Sequence, residues 1–114
     1  MKQDAYKMSL LFDYYGELLT EKQKNCFDLY YNQDLSLSEI ADELGISRQG
    51  VHDTLVRAEI LLSDMESKTG CIARADATKA ALSKICALAA ELSRQPSAAP
   101  LARQILDAAE KIKE

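Results

Sequence analysis

Five polar side chains lie within eleven residues of this 114-residue chain, and their types suit contact with nucleic acid. They are Ser47, Arg48, Gln49, His52 and Arg57. Arginine can form a bidentate pair with guanine and glutamine with adenine, so Arg48 and Gln49 are candidates for reading bases. Ser47 would cap the start of a helix, where free N–H groups and the helix dipole favour a phosphate. We predict a nucleic-acid-binding face here, with a solvated helix start as the alternative.

Two of these five residues have competing local interpretations. Arg57 follows Asp53 by four residues, so an ion pair within one helix is an equally good interpretation of it. His52 is the only histidine of the chain, and no second histidine or nearby cysteine accompanies it. We therefore expect His52 to be a surface contact residue and not a metal ligand or a catalytic base.

The surrounding residues predict a helix-turn-helix that carries this face. Ser36 and Glu39 have the spacing of a capping box, which opens the first helix. Gly45 supplies the positive φ that favours helix termination, and Ser47 then opens the second helix. The inward positions are expected to be Ile40, Ala41, Leu44, Ile46, Val51, Leu55 and Ala58. This arrangement is the commonest one for placing a helix in the major groove of DNA.

Helical periodicity continues on both sides of this motif. We expect a first helix over about residues 4–18 and a second over about residues 21–32, opened by a capping box at Thr20. The second helix of the motif continues to about residue 68, and Gly70 stops it. Further inward positions are expected at Met8, Leu11, Phe12, Tyr15, Leu19, Cys26, Phe27, Tyr30, Leu61, Leu62 and Met65.

The composition becomes rich in alanine after Gly70. Two amphipathic helices are expected there, over about residues 71–93 and from Leu101 to Ile112. The fold class is thus all-α, with a helix-turn-helix domain over residues 1–70 and a helical tail over residues 71–114. The apolar stripes of the tail are Leu82, Ile85, Ala89 and Leu92, then Leu101, Ile105, Ala108 and Ile112.

These stripes must be covered, and the sequence leaves two ways open. In the first, the tail pairs with a second copy, which predicts a homodimer that presents two recognition helices together. In the second, both helices fold back on their own chain, against Met8, Phe12, Leu62 and Met65.

Four of the five tyrosines form two doublets, Tyr14–Tyr15 and Tyr30–Tyr31. Neighbours on a helix point about 100° apart, so one tyrosine of each doublet should be buried and the other should lie at the rim. Core tyrosines with a hydrated hydroxyl are the simplest interpretation. The alternative is that Tyr14 and Tyr31 stack on unpaired RNA bases or on a partner.

The charge distribution argues against strong binding to DNA. Residues 1–70 carry seven basic and thirteen acidic residues, residues 71–114 carry seven and five, and these balances of −6 and +2 give the net charge of −4. DNA-binding domains usually present a basic face because phosphate contacts supply most of their non-specific affinity. This acidic balance favours specialised contacts with RNA or protein.

Several other function classes are not supported by the sequence. No triad, acid–base pair or glycine-rich phosphate loop is present, so we expect no enzymatic activity and no cofactor. Cys26, Cys71 and Cys86 lack metal-ligand spacing, so we expect no metal site and three buried thiols in a reducing compartment. The N-terminal residues do not resemble a signal peptide and no stretch is long and apolar enough to span a membrane, so a cytoplasmic location is expected.

Residues 1–70 resemble the YlxM family of small bacterial helix-turn-helix proteins. The resemblance lies in Leu11–Gly16, Leu18–Gln23, Tyr30–Tyr31, Asp34–Ala41 and Gly45–Val51. The block Leu11–Gly16 is the discriminating part, because generic sigma-factor region 4 domains, which are similar to residues 20–66, do not carry it. The resemblance implies a sigma-factor region 4-like fold. It also implies a link to the signal recognition particle, since the family's gene neighbours that of the particle's GTPase.

Three functions remain open from the sequence. The protein is an accessory or regulator of the signal recognition particle pathway that contacts its RNA or its GTPase, a DNA-binding transcriptional regulator, or a helical adaptor that binds protein without nucleic acid. The resemblance favours the first, and the motif alone favours the second.

Overall fold

The computed structural model describes residues 4–113, which form six α-helices and contain no strand. The helices are α1 (Ala5–Tyr15), α2 (Glu21–Phe27), α3 (Leu37–Leu44), α4 (Arg48–Thr69), α5 (Cys71–Leu92) and α6 (Ala99–Lys113). The all-α prediction is confirmed. The chain divides into two compact units, Met1–Ile72 and Ala73–Glu114, which we call unit 1 and unit 2. No helix in the described part of the chain is both long and apolar enough to cross a membrane.

The first core cluster of unit 1 lies between α1, α2 and α4. Phe27 is fully buried at its centre, and the ring of Phe12 stacks on it with centroids 4.8 Å apart. The other buried members are Met8, Leu11, Tyr15, Leu19, Ala58 and Leu62. Their spacing of three and four residues along α1 and α4 places them on one face of each helix.

The second core cluster holds the helix-turn-helix together. Its buried members come from α2, α3 and α4 and from the segments beside them: Cys26, Leu29, Leu37, Ile40, Ala41, Val51 and Leu55. The capping boxes predicted at Thr20 and Ser36 are both present, so the starts of α2 and α3 are determined by local hydrogen bonds. The predicted buried positions Val51, Leu55 and Ala58 of α4 are all fully buried.

The chain differs from the sequence-based expectation after α2. The α-helix ends at Phe27, and Asp28–Asn32 forms a π-helical turn, in which the N–H of Gln33 bonds to the carbonyl five residues earlier at 3.1 Å. The residues of this wider turn depart from the 100° progression of an α-helix. Leu29 is buried, whereas Tyr30, which was predicted to be buried, is only half-buried.

A buried tyrosine ties α1 to the end of α4 and the start of α5. The hydroxyl of Tyr15 donates to the Glu66 carboxylate at 2.6 Å and lies 2.6 Å from the hydroxyl oxygen of Thr69. The Glu66 carboxylate also accepts the backbone N–H of Ile72 at 3.0 Å. Burial and the hydrogen bond to Glu66 raise the pKa of Tyr15 above its ordinary value of 10.0.

The two tyrosine doublets behave differently. In the first, Tyr15 is buried and Tyr14 is 47% exposed, which confirms the expected division between core and rim. In the second, Tyr30 and Tyr31 are both half-buried, and the Tyr31 hydroxyl donates to the buried Glu59 carboxylate. The Tyr31 ring also lies 4.5 Å, centroid to centroid, from that of Phe27, and the stacking alternative for Tyr14 and Tyr31 stays a prediction.

Unit 2 is a pair of helices with a thin core. Its buried apolar residues are alanines, namely Ala89, Ala102 and Ala109. The expectation of three buried thiols holds only for Cys26, because Cys71 and Cys86 are half-buried. Alanine-rich helices bury little apolar surface, and this leaves the larger side chains of α5 and α6 exposed.

Candidate nucleic-acid interface

The turn between α3 and α4 is built by backbone hydrogen bonds and one glycine. Gly45 has φ +68° and ψ +33°, the left-handed conformation that ends α3. The N–H groups of Gly45 and Ile46 both donate to the carbonyl of Ala41, at 2.9 and 3.2 Å. The Ser47 hydroxyl then accepts the N–H of Gly50 at 2.9 Å and caps α4, as predicted.

The buried side of α4 determines which residues face outward. Val51 and Leu55 are fully buried in the second core cluster, so the rotation of the helix about its axis is fixed. Ser47, Arg48 and Gln49 are exposed. No acidic residue lies in the first turn of α4, so the positive end of the helix dipole reinforces the charge of Arg48.

The remaining two predicted site residues lie further along the same helix. His52 is half-buried, with 42% of its side chain exposed, and Arg57 is exposed. All five predicted residues therefore share the cap and the first three turns of one helix. At 100° per residue Arg48 and Arg57 point about 180° apart on this helix, so the shared binding role of the five residues stays a prediction. The electrostatics of the start of α4 depend on one acidic residue, Asp53.

The Asp53 carboxylate lies beside two of the predicted binding residues, Gln49 and His52. Gln49 donates its side-chain amide to Asp53 Oδ1 at 3.0 Å, and His52 Nδ1 lies 3.5 Å from the same oxygen. His52 Nδ1 is shielded from solvent and makes no aligned hydrogen bond. The hydrogen bond from Gln49, followed by the proximity of His52, lowers the pKa of Asp53 below its ordinary value of 3.8. Asp53 is therefore charged at neutral pH.

This contact was missed in the sequence-based analysis and changes two expectations. Gln49 must leave Asp53 before its amide can pair with a base, so Arg48 is the readier of the two to bind. Among the described residues, Arg57 forms no ion pair with Asp53 and contributes only a weak attraction to the lowered pKa. The spacing of four residues between Gln49 and Asp53 was the signal that could have indicated their hydrogen bond.

The neighbouring helix α3 is acidic on its exposed side. Glu39, Asp42 and Glu43 are all exposed there. The backbone N–H of Ser36 donates to Glu39 at 3.0 Å, and this hydrogen bond lowers the pKa of Glu39 below its ordinary value of 4.5. A polyanion approaching α4 would therefore meet repulsion from α3 as well as attraction from Arg48 and Arg57. Residues 4–113 contain no group of three or more side chains that could hold a metal ion.

Comparison with known proteins places the sequence of this chain in a family. The sequence profile of the UPF0122 family, described as a helix-turn-helix protein, YlxM / p13 like, matches residues 2–97. The match extends beyond residue 70, where the resemblance seen in the sequence ended. It confirms the predicted family and includes the whole of α5.

Curated relatives have the same family name. The chain is 51% identical over 72 residues to the UPF0122 protein of Desulforamulus reducens, which covers 63% of this chain and 62% of the relative. It is 53% identical over 74 residues to that of Thermoanaerobacter sp. strain X514, covering 65% and 63%. It is 54% identical over 66 residues to that of Clostridium kluyveri, covering 58% and 60%.

The aligned part thus spans about three-fifths of the length of these relatives. The capped α3, the left-handed Gly45 and the exposed start of α4 are the structural features that the family description leads one to expect. Because the profile covers most of the chain, the protein belongs to the UPF0122 family of YlxM / p13-like helix-turn-helix proteins.

Proposed function

We propose that this protein is a non-enzymatic, nucleic-acid-binding accessory protein of the signal recognition particle pathway, acting in the cytoplasm as a homodimer. The observation that carries the binding role is the exposed Arg48 at the capped start of α4, on a helix that Val51 and Leu55 hold in one orientation. An arginine beside a helix N-terminus combines charge, donors and the helix dipole in one place.

The charge of unit 1 supports selective binding and argues against general binding. Its residues include seven basic and thirteen acidic ones, so non-specific attraction to a polyanion is weak. We expect α4 to contact few phosphates, chiefly through Arg57. The binding constant should then fall with salt at a log–log slope of about −1 for one phosphate contact on duplex DNA.

The link to the signal recognition particle rests on the resemblance to the YlxM family. That resemblance associates the family with the particle because of the position of its gene beside the gene of the particle's GTPase. We propose that the protein contacts the particle's RNA or that GTPase. The acidic balance of unit 1 favours such a restricted contact over broad binding to DNA.

Replacing both base-reading candidates tests the binding role. Arg48→Ala combined with Gln49→Ala should weaken binding to the target nucleic acid by about 5- to 150-fold, since a base-reading pair contributes about 1–3 kcal/mol. Fluorescence anisotropy with the particle's RNA and with duplex DNA measures this. Both residues are exposed, so circular dichroism should be unchanged.

The chain offers a matched control for this experiment. Arg103 and Gln104 are also adjacent, helical and exposed, but they lie on α6. Arg103→Ala with Gln104→Ala removes the same groups and should leave binding unchanged. Equal affinities of the wild type and the Arg48/Gln49 variant would refute the role of α4.

Two other functions have supporting observations. The recognition-helix geometry of Arg48 supports a DNA-binding transcriptional regulator, and the acidic face of α3 supports an adaptor that binds protein alone. Pull-down of the full chain from cell extract, followed by nucleic-acid sequencing and mass spectrometry, separates the three. Particle RNA or its GTPase supports the proposal, enrichment of DNA supports the regulator, and protein without nucleic acid supports the adaptor.

A further inference from the structure

Unit 2 leaves an unusual amount of apolar surface exposed. Among the described residues, six of the ten large apolar side chains classed as exposed lie on α5 and α6. Their exposures range from 39% for Leu92 to 64% for Leu101. Monomeric proteins rarely leave contiguous apolar patches larger than a few hundred Å² without a partner. The six are Ile85, Leu88, Leu92, Leu101, Ile105 and Ile112.

Helix α5 carries two different apolar faces. Its inner face contains the more buried side chains, Leu82, Cys86 and Ala89. A second set of apolar residues lies about a quarter turn away, at a rotation of 100° per residue. The residues of this second set follow one another at intervals of four, three and four, which is the spacing of a coiled-coil contact. They are Ala81, Ile85, Leu88 and Leu92.

Helix α6 repeats this pattern. Its inner face contains Ala102, Leu106 and Ala109, of which both alanines are buried. A second set of apolar residues lies a quarter turn from it, in the same rotational sense as on α5. The set again follows intervals of four, three and four. It consists of Leu101, Ile105, Ala108 and Ile112.

The two sets face the same side of the helix pair. A short turn joins α5 to α6, and the cavity of about 600 Å³ lined by Ala75 and Leu82 of α5 also contacts Ile112 near the end of α6. The helices are therefore antiparallel. In an antiparallel pair, faces displaced in the same rotational sense from the contact lie on one side of the pair. We call the eight residues of the two sets the outer face.

We propose that the outer face is the homodimer interface, where a second copy of this chain packs its own outer face and completes an intermolecular four-helix bundle. This inference rests on the homodimer in the proposed function and adds the surface that forms it. Each chain exposes roughly 600 Å² on these six residues, so their complete burial between two chains would remove about 1,200 Å², the lower end of the range for specific interfaces.

A second copy fits this surface better than other occupants. Both helices present the heptad-like spacing that helices of a four-helix bundle use against one another. In a two-fold symmetric dimer the same surface of each chain packs against its copy on the other chain. One apolar surface on each chain is therefore sufficient to form the interface. Nucleic acid does not fit, because the outer face consists of aliphatic and alanine side chains without donors.

Sedimentation velocity on the full chain at tens of micromolar tests the proposal. The wild type should sediment with twice its chain mass of 12.6 kDa. Leu88→Lys with Ile105→Lys should raise the dimer dissociation constant by at least about 100-fold, since central apolar contacts are the ones that dominate such interfaces. Both residues are exposed within the chain, so helicity should be retained.

A matched variant adds the same charge away from the outer face. Ala87→Lys with Gln104→Lys changes the exposed residue immediately before each tested position, which points about 100° away. This control should remain dimeric. Hydrogen exchange on the wild type gives a second measurement: amides of α5 and α6 near Leu88 and Ile105 should exchange more slowly as the protein concentration rises.

Each contrary outcome has a separate meaning. A monomeric wild type overturns both the homodimer and this interface. A dimer that survives the lysine substitutions overturns the interface alone, and leaves the homodimer standing. Lysine variants that lose stability against urea as monomers show that the chain covers its own outer face, which also overturns the proposal. Binding by Arg48 is tested independently of all three.

Discussion

Units 1 and 2 are both helical, but they bury different kinds of side chain. Unit 1 buries Phe27, Leu11, Ile40, Leu55 and Leu62 almost completely. Unit 2 buries alanines and exposes most of its leucines and isoleucines. Fully burying a large aliphatic side chain contributes about 1.5–3 kcal/mol, whereas alanine contributes far less. The amphipathic pattern is similar in both units, so the pattern alone does not say whether an apolar stripe is covered within the chain.

The two units also differ in their polar contacts. Unit 1 contains two tyrosine–glutamate hydrogen bonds between distant parts of the chain, Tyr15 with Glu66 and Tyr31 with Glu59. Such contacts need exact mutual placement of two elements, so they accompany a packed core. We expect the core of unit 1 to be stable without a partner, and we expect unit 2 to gain stability from one.

The largest expected difference between the units comes from the same substitution made in each. Leu55→Ala should lower the free energy of unfolding by about 2–5 kcal/mol, because Leu55 is fully buried and a cavity remains. Leu88→Ala should change it by no more than about 0.5 kcal/mol, because Leu88 is already 58% exposed. Urea unfolding at concentrations that keep the chain monomeric measures both. Equal losses would show that the two units bury their leucines to the same extent.

A smaller effect should follow from removing one polar contact of unit 1. Tyr31→Phe leaves the buried carboxylate of Glu59, only 8% exposed, without the hydroxyl that donates to it. The free energy of unfolding should fall by about 1–3 kcal/mol, the cost of an unsatisfied buried polar group. Urea unfolding again measures it.

Removing the carboxylate as well provides the control. Tyr31→Phe combined with Glu59→Leu should recover part of the loss, since replacing both partners by apolar groups is nearly neutral. A double variant no more stable than Tyr31→Phe would show that the hydrogen bond does not account for the effect.

The smallest effect is expected only at alkaline pH. Burial, with the hydrogen bond to Glu66, raises the pKa of Tyr15 in the folded protein above 10.0. The folded state therefore holds this proton more tightly than the unfolded state. The stability that results is fully present below pH 10 and is lost as the pH rises from 10.0 through the folded value.

Helicity followed by circular dichroism during alkaline titration checks this expectation. Tyr15→Phe should remove the part of the alkaline loss that comes from this hydroxyl. Tyr14→Phe, at the neighbouring 47% exposed position, should keep it. If both variants lose helicity as the wild type does, Tyr15 is not the group responsible.

The helix starts and the ends at Gly45 and Gly70 were predicted well because their causes are local, whereas α1 and α2 end before the expected residues 18 and 32. The capping boxes at Thr20 and Ser36 join residues three apart, and Gly45 and Gly70 end α3 and α4 through their own backbone conformation. That Ser47–Arg57 lie at the start of one helix was predictable for the same reason, while their binding role stays a prediction. The hydrogen bond between Gln49 and Asp53 was missed although it is also local.

Contacts between distant residues could not be predicted from patterns. Tyr15 lies 51 residues from Glu66, and Tyr31 lies 28 residues from Glu59. Helical periodicity says which face of a helix is apolar, but it does not say which polar side chain lies opposite. Within the π-helical turn after Phe27, Leu29 packs into the second core cluster and Tyr31 packs against the first, and the pattern of the sequence did not indicate this division.

The helices, their caps, the turn at Gly45 and the polar residues at the start of α4 could thus be predicted from local sequence patterns. The tertiary structure decided which apolar faces are buried, which of the tyrosines contact glutamates and how Asp53 competes for the binding face. The physical reason is range. Caps and turns depend on interactions within a few residues, whereas burial depends on whether another element has the size and position to cover a side chain.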